Sequence, residues 1–417
     1  EKTENGYRVY VAISDVSHYV KANTALDNEA RKRGTSCYLG SGVYPMLPPE
    51  LSNGICSLNE NVDRLALVAT IDINEKGKIQ KYNFEKAVIN VKKSFSYEDA
   101  EKVFLKQDGF DQQNIDAKKH IDLLYEVTDI LESKLKNRGS LNFVNYEPEF
   151  KFNQELNIVE DIETTGLERS HKVVEQCMIL ANEATAKFFT DNNLSGIYRV
   201  HNQPNNQKFN FANDQLKKFG VQKNLGTDSK FYQSILNDIQ DLPNNEYLNH
   251  LILQTLNKAQ YSSQNTGHFG LASTGYTHFT SPIRRYSDTI AHRIISQCLK
   301  YGKSKETSSY IQQICDHLNE QEKKSVKAEK ESDKYLCCLW AENHINEIMS
   351  GYITRVEPAQ IIVRHKGVEV QIPTYLLNNG LKADYQLTKD FLSIKDKYSK
   401  TIYTVGETVD FKIAQVD

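Results

Sequence analysis

The hydrophobic period changes twice along this chain, and that restricts the folds open to it. Residues 7–20, "YRVYVAISDVSHYV", are rich in β-branched and aromatic side chains and read as one or two strands, and 63–74, "DRLALVATIDIN", reads the same way. "KGK" at 76–78 is a hairpin turn that returns through "IQKYNFEKAVI". Helical spacing then takes over. One helix is expected over about 117–137, with Ile121, Leu124, Val127, Ile130, Leu131 and Leu135 on its core face and Gly139 as its stop. Another is expected over about 170–189, with Val174, Cys177, Met178, Ala181 and Phe188 as its stripe, and a third over about 308–347. Near residue 346 the alternation of strands resumes, in "GYITRVEPAQIIVRHKGVEVQIP" and again in "YTVGETVDFKIAQVD". The expectation is an α+β unit over 1–345, followed by a small all-β unit over 346–417 of the five-stranded OB type. The glycines and prolines of 34–59 argue against a regular element there. The Asn/Gln-rich stretch 202–250 shows two helical segments and no evident chemistry.

The chain has 417 residues, 39% apolar and 25% charged, which suits a soluble globular protein of more than one domain. Its formal charge of −3 gives no global basic field, so a polyanion must meet a local patch. No apolar run reaches membrane-spanning length and no signal peptide is visible; with Glu1 in first place, the expectation is a cytoplasmic chain cut from a longer one. The seven cysteines form no CxxC pair and read as reduced thiols.

The most suggestive stretch is "HFTSPIRRYSDTIAHR", 278–293. Ser281 and Pro282 read as a helix start, which puts Arg284 and Arg285 in a first turn where the helix dipole disfavours cations. Free N–H groups at a helix start attract anions, and arginine forks grip phosphate, so a phosphate is expected there. Arg284, Asp288 and His292 fall on one face at i, i+4 and i+8, with Ile283, Ile290 and Ile294 turned elsewhere, toward the core. The plain alternative is a surface helix with one ion pair. Tyr38 and Phe143 are candidates for base stacking, although either alone reads equally as a packing residue. On the charged helix 320–334, Lys323, Lys327 and Lys330 suit a phosphate path or a merely solvated face. Glu329 suits an acid, a base or an arginine orienter, and spacing favours none of these.

Four ordered blocks carry a resemblance: "VYVAISDVSHYV", "LDNEARKRGTSCYLGSGVYPMLPPELSNGICSLNENVDRLAL", "RSHKVVEQCMILAN" and "GHFGLASTGYTHFTSPIRRYSDTIAHR". They resemble the RNB catalytic domain of the ribonuclease II, ribonuclease R and Dis3-type nucleases, and "HFTSPIRRY" and "YPMLP" are most similar to the bacterial ribonuclease R branch. The tail resembles the S-one-type RNA-binding barrel that follows RNB in those enzymes. The resemblance implies a processive, magnesium-dependent 3′→5′ exoribonuclease that turns single-stranded RNA into nucleoside 5′-monophosphates. It implies that Arg284 stabilises the transition state at the scissile phosphate and that Arg285 contacts the RNA backbone. Tyr38 and Phe143 would clamp terminal bases, Glu329 would be the family's glutamate near the channel, and Glu175 a further RNA contact. The family's magnesium ligands form a D-x5-D-x-D-D cluster just before the strand that here begins at Tyr7, so they are expected upstream of Glu1; Asp108, Asp111 and Asp116 have the wrong spacing. Several carboxylates are needed to hold catalytic metals, so this chain alone is expected to bind RNA and not cut it. The other reading is a non-catalytic RNA-binding or regulatory protein of the same fold. RNA-decay or ribosome-associated factors are the partners such an enzyme would have.

Overall fold

The computed structural model describes residues 1–40, 42–106, 115–143, 149–153, 158–163, 168–204, 206–242, 244–377, 384–388, 392–398 and 401–416. Strands β1 (Lys2–Thr3) and β2 (Gly6–Ser14) are followed by the helical turn α1 (Val16–Tyr19), so "SDVSHYV" is not a second strand. The buried Asp15 carboxylate draws the chain into that turn: it accepts from Ser17 Oγ at 2.6 Å and pairs with Lys86 Nζ at 2.9 Å. Helix α2 (Ala25–Arg33) comes next, capped by Thr24, whose side chain accepts from the Asp27 N–H. Two short strands, β3 (Cys37–Leu39) and β4 (Gly42–Tyr44), form a ladder inside the segment that read as irregular.

Strands β5 (Asp63–Asn74) and β6 (Ile79–Asn90) form the expected hairpin around Gly77, which adopts a φ of +72°. The first sheet runs β1-β2-β5-β6, wholly antiparallel. Leu67, Ala69, Ile71 and Ile73 recur every second residue of β5 and are buried, the mark of a sheet with one wet face. After α3 (Tyr97–Leu105) and α4 (Ile115–Arg138), a β7 (Glu149–Asn153) and β8 (Ile158–Glu163) hairpin leads into α5 (Arg169–Asp191). Helix α5 is buried more widely than a narrow stripe: Ile179, Leu180, Ala181, Ala184 and Phe189 are core, whereas Val174, Cys177 and Met178 are half-buried.

Strand β9 (Tyr198–Val200) precedes α6 (Asn206–Lys218), α7 (Ser229–Ile239) and α8 (Asn245–Thr255). Three helices therefore occupy the Asn/Gln-rich region where two were expected. Leu216, Tyr232, Ile235, Leu248 and Ile252 give them a core of their own. Strand β10 (Gln260–Ser262) pairs with β9, and then come α9 (Tyr286–Tyr301), ended by Gly302, and α10 (Ser308–Glu342). Ile290, Ala291, Ile294 and Ile295 of α9 pack with α5 over the first sheet.

The C-terminal strands are β11 (Ile348–Val356), β12 (Gln360–His365), β13 (Val368–Pro373), β14 (Tyr385–Leu387), β15 (Ser393–Asp396), β16 (Ile402–Thr404) and β17 (Thr408–Lys412). They build two antiparallel sheets, β13-β12-β11-β17 and β14-β15-β16. Among the described residues these sheets do not close into the expected OB-type barrel. Their core, with Ile353, Ile361, Val363 and Phe411, also takes in Leu336 and Trp340 of α10 and Ile162 of β8. Among the described residues no helix is long and apolar enough to cross a membrane.

Candidate active site

The site begins with a long-range pairing of backbone. Ser36 N–H donates to the Arg284 carbonyl at 2.9 Å, Tyr286 N–H donates to the Gly34 carbonyl at 3.0 Å, and Thr35 Oγ1 donates to the same Arg284 carbonyl at 3.1 Å. Gly34 makes this possible. Its φ is +73°, and a Cβ there would lie 3.0 Å from Gln321 and 3.1 Å from Leu318 of α10. The pairing holds residues 284–285 in a bridge and delays the helix start, so α9 begins at Tyr286 with Arg285, at φ −134° and ψ 123°, in the capping position. Neither arginine lies in a helical first turn, and Ser281 is not the cap. Arg284, Asp288 and His292 consequently do not form one face.

The two arginines have different fates. Arg285 is bound to Asp288 through Nε to Oδ2 at 2.9 Å and Nη2 to Oδ1 at 2.8 Å. Asp288 is fully buried and also accepts from Ser281 N–H and Ser287 Oγ. A buried carboxylate with this many donors is satisfied, and the acid in the first turn suits the helix dipole. His292, also buried, places Nε2 2.8 Å from the Phe279 carbonyl and takes no part in a site. Arg284 is exposed, and among the described residues its guanidinium has no hydrogen bond, ion pair or ring contact.

Arg284 stands where two cavities meet. One, of about 390 Å³, is lined by Tyr38, Val43, Ser52, Asn53, Ser281 and Arg284. The other, of about 490 Å³, is lined by Tyr97, His171, Glu175, Ser281, Arg284 and Arg285, among others. Tyr38 sits on β3 opposite Val43 of β4, and the tyrosine ring and the valine side chain are 45% and 55% exposed. Its backbone N–H donates to Glu329 Oε1 on α10 at 3.2 Å, and Ser325 Oγ donates to the same oxygen. Glu175, on α5, stands at the second cavity with its pKa above the usual carboxylate range, because of partial desolvation and then the like charge of Glu132, against the pull of Lys172. Tyr97 and His171 stack at 3.7 Å in the same wall. His278, half-buried against Tyr261 and Tyr276, is held neutral by desolvation and then by Arg285, Arg199, His268 and Arg284.

The fold thus brings together Arg284, Arg285, Tyr38, Glu175 and, through Tyr38, Glu329. Phe143 lies elsewhere: it is half-buried against the core of α6–α8 and lines neither cavity. Lys323 and Lys327 are exposed on α10, about 120–160° around the helix from Glu329. Asp108 and Asp111 lie outside the described residues, and Asp116 is in the first turn of α4. Among the described residues no three His, Cys, Asp or Glu side chains gather as a metal site would require, so these residues do not fit magnesium. Sequence reasoning missed Tyr97 and His171, whose partnership depends on packing between α3 and α5, and it missed the Arg285–Asp288 pair at i, i+3.

An RNB domain matches residues 1–301 of the chain, which includes Tyr38, Glu175 and Arg284. The chain belongs to the RNB family. Ribonuclease R of Escherichia coli K12 is 34% identical over the whole of this chain, which covers 53% of that protein. Ribonuclease R 1 of Lactococcus lactis is 32% identical, again over the whole chain and 52% of the relative. The chain therefore spans about half the length of the curated relatives it matches. Among solved RNB structures, Mycoplasma genitalium RNase R in complex with ribose methylated single-stranded RNA is 27% identical with a TM-score of 0.89, covering all of this chain and 66% of that one. Yeast Ssd1, a pseudonuclease, shares the RNB fold at 15% identity and a TM-score of 0.73.

Proposed function

We propose that the chain carries the arginine side of the catalytic centre of an exoribonuclease like ribonuclease R, one that works processively from the 3′ end of single-stranded RNA and releases nucleoside 5′-monophosphates. The observation that carries this reading is the unpaired Arg284 guanidinium at the meeting of two cavities, with a stacking ring on one side and a carboxylate on the other. An arginine fork fits a phosphate, and one held ready by backbone bonds stabilises charge that develops there without reorganising. In this reading Tyr38 stacks on a base near the RNA end and Glu329 sets the position of Tyr38. Glu175 meets the nucleotide from α5 and Arg285 contributes positive potential from its place beside Asp288, while Phe143, which lines neither cavity, would meet RNA only away from Arg284. Lys323 and Lys327 attract the RNA backbone from the surface of α10. The relative solved with single-stranded RNA supports the choice of polymer. Magnesium is the expected cofactor and the C-terminal strands an S-one-type RNA-binding unit; among the described residues no group of carboxylates or histidines offers the metal a donor set. RNA-decay or ribosome-associated factors are the protein partners, and the cytoplasm the setting, that this activity implies.

The test uses 5′-labelled single-stranded RNA with magnesium, and compares this chain with the same protein extended upstream. Collapse of the RNA to a short labelled end product by the extended protein, with no ladder of internal cuts, is expected. Intact RNA with both proteins, together with retained binding, would transfer the assignment to a non-catalytic RNA-binding protein. Rapid loss of the 5′ label would reverse the proposed direction.

A further inference from the structure

Behind the wall of the Glu175 cavity lies a second, larger cavity of about 1090 Å³. The segment 267–273 separates the two: Leu271 faces the Arg284 side, while His268, Phe269 and Ala272 line the other. Two histidines hold this segment. Gly270 N–H donates to His201 Nδ1 at 3.1 Å and Leu271 N–H donates to His268 Nδ1 at 3.2 Å. A backbone N–H can only donate, so each Nδ1 accepts, and each neutral ring must then carry its proton on Nε2. Both rings do stay neutral. Desolvation lowers His201; desolvation, the cost of charging a second ring beside His201, and the charges of Arg199 and Arg138 lower His268 to about 3.

Arg138 and His201, which line the cavity, carry N–H donors that lack acceptors. His201 is 8% exposed, and its Nε2 is buried without a hydrogen-bond partner; the Asn257 backbone lies near enough to favour the proton but not in bonding geometry. Arg138 spends Nη1 on Glu183 at 2.5 Å and Nε on the Leu271 carbonyl at 2.8 Å, and leaves Nη2 buried and unpartnered. His268 Nε2 has no partner among the described residues either. A buried donor left unmade is expensive, so a site with two such donors and a third beside them is built for an acceptor-rich anion. The acid in the wall, Asp228, is already in use: its Oδ1 accepts from Lys230 N–H at the start of α7. That helix start adds the positive end of its dipole.

We propose that this cavity binds a phosphate group, received by the Nε2–H of His201 and His268 and by Nη2 of Arg138. Phosphate fits because it offers several acceptor oxygens to three donors carried by residues of one cavity, and no proton that they must accept. The same group can arrive as free phosphate or on a mononucleotide, which the volume also admits. Asn202, Asn265 and Thr266 at the rim supply side-chain amides and a hydroxyl for whatever the phosphate carries. The site stands without the nuclease reading and tests separately from it.

The experiment is calorimetric titration of the chain, without divalent metal, using inorganic phosphate, adenosine 5′-monophosphate and adenosine. Phosphate and the monophosphate bind and adenosine does not, and Arg284→Ala, which removes the phosphate contact proposed at the other site, still shows the binding that the histidine variants lose. His201→Asn and His268→Asn keep an acceptor where Nδ1 stood but remove the Nε2–H, and each weakens binding about tenfold or more. Tighter binding of the monophosphate assigns the pocket to a mononucleotide, and equal binding assigns it to free phosphate. Absence of saturable binding overturns the proposal, as does binding lost in Arg284→Ala and kept in both asparagine variants. If those variants fail to fold, the imidazole ¹⁵N resonances of the wild type decide. His201 and His268 Nε2 must shift on addition of phosphate, and unmoved resonances refute the site.

Discussion

The backbone N–H of Tyr38 donates to Glu329 Oε1, joining residues 291 positions apart at 3.2 Å. The bond ties the exposed Tyr38 ring on a three-residue strand to the longest helix among the described residues, and it puts a negative charge beside the route proposed for RNA. Removing it has two opposed effects. The freed N–H is exposed and water replaces its acceptor, so the loss of anchoring is below about 1 kcal/mol. Loss of the carboxylate removes repulsion that acts on every nearby phosphate, and at low salt this effect is the larger. Glu329→Ala is therefore expected to bind single-stranded RNA a few-fold more tightly at low ionic strength, with the gain fading as salt rises. Filter-binding or anisotropy titrations at several salt concentrations measure this; tighter binding that is independent of salt would contradict it.

The Arg284 side chain makes no hydrogen bond or ion pair among the described residues, and its backbone bonds survive truncation, so its removal should leave the fold alone. Arg284→Ala is expected to melt within about 1 °C of the wild type, since exposed unpaired side chains contribute little to stability. Turnover of RNA by the extended protein should fall about 10²–10³-fold, the usual cost of one preorganised donor to a developing charge. RNA affinity should change far less. A matching collapse of Kd would make Arg284 a binding residue and not a transition-state one.

Asp288 is the opposite case. It is fully buried and holds Arg285, Ser281 and Ser287 together. Asp288→Ala strands a guanidinium in a mostly dry site and is expected to cost about 3–5 kcal/mol in denaturant unfolding. Arg285→Met should be costly for the same reason, by leaving the carboxylate unpaired. The double variant Asp288→Leu with Arg285→Met should recover part of the loss, and a purely additive result would show that the pair is not coupled.

The strands and long helices were legible because their cause is local. Leu67, Ala69, Ile71 and Ile73 show their period within one element, and Gly77, Gly139 and Gly302 mark stops by their own backbone. The start of α9 was misread because what sets it is not local: residues 34–36 capture the backbone at 284–286. The same cause hid Tyr97 and His171, which become a pair only when α3 meets α5. Arg284, Tyr38, Glu175 and Glu329 could be named from motifs. That Tyr38 touches Glu329, while Phe143 packs among α6–α8, depends on tertiary contacts that no spacing encodes.

Stability should also depend on pH through the histidines behind the site. His268 titrates at 6.5 when unfolded and at about 3 when folded, so below pH 6.5 the unfolded chain takes up a proton that the folded ring refuses. Its contribution is intact above pH 6.5 and declines as pH falls toward 3, reaching about 2 kcal/mol of loss at pH 5. His201, His278 and His292 are lowered as well and act in the same direction. Denaturant midpoints from pH 7.5 to 4.5 should decline, and His268→Asn should flatten the slope. A midpoint that rises on acidification would reverse the sign.

Helix α10 meets both halves of the molecule: Glu329 reaches the Tyr38 strand, and seven residues later Leu336 enters the core of the C-terminal sheets. Two turns of helix thus act as a gauge block. One residue inserted between them would rotate one end against the other by about 100° and advance it about 1.5 Å, so only one of the two docks could stay engaged. A flexible surface loop can lengthen at a small entropic cost, but this span has its length and its phase set together.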